Sequence, residues 1–75
     1  MLNKTFSERL NKELDNIEAP EAIAERIEVL SKLLKIPKFK AESLINGIIN
    51  KDDPILLTLA SELEVNVDWL LGNES

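Results

Sequence analysis

The chain of 75 residues has no cysteine, no histidine and no tyrosine, only two glycines, and a single tryptophan. Without cysteine or histidine, disulfides, zinc-finger ligand sets, thiol or Ser/His nucleophiles and imidazole acid–base chemistry are all excluded. Carboxylates remain, but they recur on helical faces rather than converging on a pocket, so no enzyme, cofactor or metal centre is expected. Met1 to Thr5 lacks the basic region and apolar core of a signal peptide, and no run approaches the roughly 18 apolar residues of a membrane span. With no cysteine to oxidise, the expectation is a cytoplasmic protein with no membrane role.

Length allows one domain, residues 1–75. Folds this small bury only about 60% of their extended-chain surface, so every apolar stripe is needed for the core. The formal net charge of −5 argues at first against nucleic acid. That average conceals a division along the chain. Residues 26–51 carry six cations and two acids, a balance of +4, whereas residues 1–25 carry −3 and residues 52–75 carry −6. A basic middle between acidic ends fits a protein that meets DNA with one face and stays soluble with the rest.

The hydrophobic pattern is helical throughout, with no strand pattern, repeat or low-complexity segment. Thr5-Phe6-Ser7-Glu8 fits a capping box, and Phe6, Leu10, Leu14 and Ile17 then recur at helical spacing. Pro20 disfavours a helical Ala19 but suits a first turn, so a second helix is expected from Pro20 or Glu21, with Ile23, Ile27, Leu30 and Leu33 or Leu34 inward. Lys35-Ile36-Pro37 interrupts it, and Pro37 opens a third helix to about Ile48. There Ala41, Leu44, Ile45 and Ile48 point inward and Lys38, Phe39, Lys40, Glu42, Ser43 and Asn46 are left on the outer face. Gly47 suits a left-handed C-terminal cap. Asp53-Pro54 opens a fourth helix with Leu56, Leu59, Ala60 and Leu63 inward, and Asn66 caps a fifth, Val67 to Leu71, ended by Gly72. The expectation is an all-α, compact five-helix domain.

Two helices joined by a tight turn, the second with a polar outer face, describe a helix-turn-helix over about residues 21–48, followed by C-terminal helices over about 54–71. The closing stretch Leu59-Ala60-Ser61-Glu62-Leu63-Glu64-Val65-Asn66-Val67-Asp68-Trp69-Leu70-Leu71-Gly72 resembles the last two helices of the lambda-repressor-like (Cro/repressor, XRE-type) family. Ser43-Leu44-Ile45-Asn46-Gly47 looks like the end of that family's recognition helix. Phe6-Ser7-Glu8-Arg9-Leu10-Asn11, with Pro20, Arg26 and Leu30-Ser31-Lys32-Leu33-Leu34, is similar to its phage-repressor-like subgroup. The resemblance covers roughly residues 6–72. It implies a transcriptional regulator that binds double-stranded DNA as a homodimer, with the helix from Pro37 to about Ile48 in the major groove.

Carried over residue by residue, the resemblance puts Lys38, Phe39 and Ser43 against bases. Lysine can donate to guanine, serine can contact several bases, and phenylalanine can touch only a thymine methyl or a sugar. Arg26, Lys32, Lys35, Lys40 and Asn46 fall where phosphates are held, which implies about four to six neutralised phosphates and a steep salt dependence. Trp69 reads as a core plug or a dimer contact, and Leu57 as a self-association contact. Phe39 reads equally as a residue packed on the turn and as a contact for DNA or a partner.

The chain departs from the family pattern at three places. Lys35 stands where the turn glycine is usual, which implies a strained positive φ. Ser31 replaces an alanine and requires its hydroxyl to bond back to the preceding turn. Glu42 stands on a recognition face that lacks the usual glutamine and arginine. With the net acidity, this face also fits an alternative: a non-enzymatic protein-interaction module of the same fold, such as an antirepressor or adaptor, with a protein partner in place of DNA.

Overall fold

Asn3, not Thr5, starts the first helix. In a computed structural model that describes residues 2–73, the Asn3 side-chain oxygen accepts the Phe6 N–H at 2.9 Å, and α1 runs Lys4–Asn16. Threonine and asparagine have the same capping chemistry. What selects Asn3 is the other end of its side chain, whose amide donates to the Leu71 carbonyl at 3.1 Å and ties α1 to the end of the chain.

Among the described residues the architecture is all-α, as expected from the pattern: α1, α2 (Ile23–Leu34), α3 (Lys38–Ile45), α4 (Ile55–Leu63) and α5 (Val67–Leu71). The only strand-like pairing described is an isolated antiparallel bridge between Leu2 and Ile48. α2 packs on α3 and α4, α1 packs on α3 and α5, and α4 packs on α5. Phe6, Leu10 and Leu14 of α1 lie at the centre, closed over by Leu30, Leu44, Leu56, Leu59 and Leu70. No described helix is long and apolar enough to cross a membrane.

All five helices end in the same way. A left-handed residue follows each one, at Glu18, Lys35, Gly47, Glu64 and Gly72. The next N–H then reaches back five residues: Ala19 to Leu14, Ile36 to Ser31, Ile48 to Ser43, Val65 to Ala60 and Asn73 to Asp68, at 2.9–3.0 Å. This is the Schellman closure, which satisfies carbonyls the helix leaves open. Only two of the five positions are glycine. At Gly47 a side chain is excluded twice over, since φ is +78° and a Cβ would lie 2.4 Å from the Asn3 carbonyl oxygen.

Several apolar residues expected inside are outside. Ile17 lies beyond the end of α1 and Ile23 opens α2, and both are exposed. α2 begins later than Pro20 or Glu21 because the Pro20 carbonyl is held by the Arg26 side chain at 2.8 Å, which keeps that segment a strap rather than a helical turn. α3 ends at Ile45, short of Ile48, because the chain turns at Gly47 to meet Asn3. Ile48 is therefore 55% exposed. Pro54, expected inside α4, stands one place before it at the N-cap position, and Asp53 closes the helix start from the residue before, its carboxylate accepting the Ile55 N–H at 3.0 Å; Asn66 caps α5 as expected by accepting from Asp68 at 2.7 Å.

Candidate nucleic-acid interface

The outer face of α3 is positioned by the turn that precedes it. Lys35 adopts φ 57°, ψ 49°, the left-handed conformation expected where glycine is absent. The Ser31 hydroxyl does not bond back into α2. It donates forward to the Ile36 carbonyl, while the Ile36 N–H donates to the Ser31 carbonyl at 3.0 Å. The backbone bond is the closure any residue could make, but the hydroxyl bond, which alanine cannot make, adds a second hold on Ile36 just before Pro37 launches α3.

Along α3, Ala41, Leu44 and Ile45 are buried, and Lys38, Phe39 and Glu42 are exposed on the opposite side. Phe39 is 71% exposed and stands between two hollows. One, of about 350 Å³, lies towards Ile48, Asp53 and Ile55; the other, of about 370 Å³, lies towards Ala24 and Ile27 of α2. The Ser43 hydroxyl donates to the Phe39 carbonyl at 3.1 Å. Ser43 therefore presents only acceptor capacity to a base, less than expected for a residue free on the surface. Asn46 is exposed at the far end, where its N–H closes α3.

The cations divide into engaged and free. Arg26, expected at a phosphate, is only 6% exposed and turns inward. Its guanidinium donates to the Pro20 and Asn11 carbonyls, to the Asn11 side chain and to Asp15. A long amphipathic cation has been used to fasten α2 to α1, which removes it from any outer surface. Lys40 donates to Asp53, and Lys32 pairs with Glu28 at 3.2 Å. The hydrogen bond from Lys40, with a second from the Ile55 N–H, holds the Asp53 carboxyl below its usual range. Glu28 is lowered chiefly by its hydrogen bond from Lys32, then by the charges of Lys32 and Lys38. Lys35, Lys38 and Lys51 are exposed and form no ion pair with a described residue.

Comparison with known proteins returned no matching family model, no similar curated protein and no similar solved structure.

The two residues considered for self-association have different surroundings. Leu57 is 68% exposed on α4. Trp69 is half-buried against the core, with the Arg9 guanidinium 4.9 Å from its ring centroid and donating to its carbonyl. Three features have no periodic signature in the sequence: the Arg26–Asp15 tie, the Lys40–Asp53 tie and the Leu2–Ile48 bridge. Each joins residues from different segments, and only the fold brings them together.

Proposed function

We propose that the protein is a transcriptional regulator of the phage-repressor helix-turn-helix type, binding double-stranded DNA as a homodimer in the cytoplasm, with α3 in the major groove. The observation that carries this reading is the N-terminal turn of α3. It projects Lys38 and Phe39 outward beside the free Lys35, while its opposite side is anchored by Ala41, Leu44 and Ile45. A rigid helix, fixed from behind and cationic at its leading end, suits insertion into a groove walled by phosphates.

The test is fluorescence anisotropy of mixed-sequence duplex DNA titrated with the protein at low and moderate salt, with Lys38→Ala alongside. Saturable, salt-sensitive binding that weakens in the variant supports the reading. Absence of binding at low salt rejects it.

One set of observations favours the second reading, a protein-interaction module of the same fold. Lys32 and Lys40 are engaged within the chain, and Phe39, Ile48 and Leu2 expose apolar surface nearby. If duplex DNA is not bound, that apolar surface becomes the place to look for a protein partner.

A further inference from the structure

Phe39 and Glu42 lie three residues apart on α3, both exposed and facing away from the core. Neighbours at this spacing on a helix have Cβ atoms about 5–6 Å apart, close to the separation of one or two stacked base pairs. Their chemistries are narrow. A phenyl ring has no hydrogen bond to give, and among base edges in the major groove only thymine offers an apolar group, its C5 methyl. A carboxylate only accepts, and the base-pair donors there are the amino groups of cytosine and adenine, of which cytosine is the usual carboxylate partner.

The shape around the ring favours a groove over a protein helix as its receptor. Phe39 is a ridge with a hollow on either side rather than the floor of a cleft. A convex apolar knob enters a concave partner, and Lys38 beside it and Lys35 in the preceding turn are free to hold the walls of such a partner if they are anionic.

We propose that Phe39 and Glu42 form a pyrimidine-reading pair, Phe39 selecting a thymine by its methyl group and Glu42 a cytosine, by its amino group, at an adjacent or next-adjacent base pair. The inference rests on the DNA-binding reading and adds to it which bases the half-site contains. It also explains how a recognition face without glutamine or arginine discriminates at all. Lys38 and Lys35 supply attraction, and Glu42, repelled by phosphate, supports binding only where a donor meets it.

The experiment is selection of a bound duplex from a randomised library, then replacement of each thymine in the selected duplex by deoxyuridine, which removes only the methyl. One substitution is expected to weaken the parent protein about fourfold, the equivalent of ~0.8 kcal/mol for one buried methyl. Phe39→Ala is expected to bind thymine and uracil duplexes equally at that position. Glu42→Gln is expected to shift the selected base at the neighbouring position from cytosine to adenine, the partner of a glutamine amide. Both residues are exposed, so circular dichroism should show parental helicity. A duplex that is selected and bound with steep salt dependence, yet is indifferent to every thymine-to-uracil exchange and to Glu42→Gln, overturns the pyrimidine pair and leaves DNA binding standing. A library that yields no bound duplex overturns both.

Discussion

Lys35 holds a backbone conformation that costs a residue with a side chain on the order of 1–3 kcal/mol, and it does so at the turn on which α3 depends. Glu18 and Glu64 do the same at the ends of α1 and α4. The tolerance is understandable from the closure each one makes, because the hydrogen bond from the following N–H satisfies a carbonyl that would otherwise lack a partner. Lys35→Gly should relieve the strain while adding freedom to the unfolded chain, for a net gain of about 0.5–1 kcal/mol in stability, read as a raised denaturation midpoint. The same variant removes one of the free cations beside α3, so its affinity for duplex DNA should fall. A variant that gained neither stability nor lost affinity would contradict both roles. The left-handed Lys35 was legible from the missing glycine, but Glu18 and Glu64 were not, since nothing in their residue type favours a positive φ.

At the scale of elements, two side chains fasten helices that periodicity treats as separate. Arg26 joins α2 to α1 and to the strap at Pro20, and its removal leaves the carbonyls of Pro20 and Asn11 without that donor. Asp15 is largely exposed, so no buried charge is stranded, and the cost of Arg26→Ala should be about 1–3 kcal/mol rather than that of a broken buried ion pair. Thermal or chemical denaturation measures it, and an unchanged midpoint would sink the strap. Hydropathy patterns place an arginine outside by default. The resemblance, which gives Arg26 to phosphate, and the fit of Pro20 to a first helical turn are both blind to an arginine that folds back onto the Pro20 carbonyl.

Asp53 is the second fastener, closing the start of α4 and receiving Lys40 of α3. Its carboxyl is held below its usual range, so the folded protein binds that proton less well than the unfolded chain does. The stabilisation from this group is therefore present above the ordinary carboxylate pKa and is lost as pH falls through the lower folded value. Asparagine retains that closure but not the charge. Asp53→Asn should lie slightly below the parent in stability at neutral pH, and the difference should close as the pH is lowered below about 4. A gap that stayed constant with pH would show that Lys40 contributes nothing through the charge of Asp53. The closure itself was legible from Asp-Pro; the lysine thirteen residues away was not, because it is the turn at Gly47 that brings α3 and α4 together.

For the whole molecule, the decisive quantity is how much of the +4 carried by residues 26–51 reaches solvent as free charge. Arg26 is spent on Asp15 and Lys40 on Asp53, both acids outside that stretch, and Lys32 is matched by Glu28 within it. The exposure of Lys38, Phe39, Glu42 and Asn46 on α3 and its C-cap follows the helical pattern, whereas linear charge counting cannot see partners contributed by distant segments. Under the proposed DNA-binding function, three lysines of that stretch, Lys35, Lys38 and Lys51, remain free to meet phosphates, fewer than the four to six that the resemblance implies. Binding to duplex DNA should accordingly weaken with a log–log salt slope of about −3 per protomer, against roughly −4.5 if Lys32 and Lys40 left their partners to join in. Lys38→Ala should bring the slope about one unit closer to zero per protomer while leaving helicity unchanged. The steeper slope in the parent would mean that the internal ion pairs open on binding, at a cost of about 0–1 kcal/mol for the exposed Lys32–Glu28 pair and with loss of the α3–α4 tie at the partly buried Lys40–Asp53 pair. An unchanged slope in Lys38→Ala would take the leading turn of α3 off the phosphate backbone.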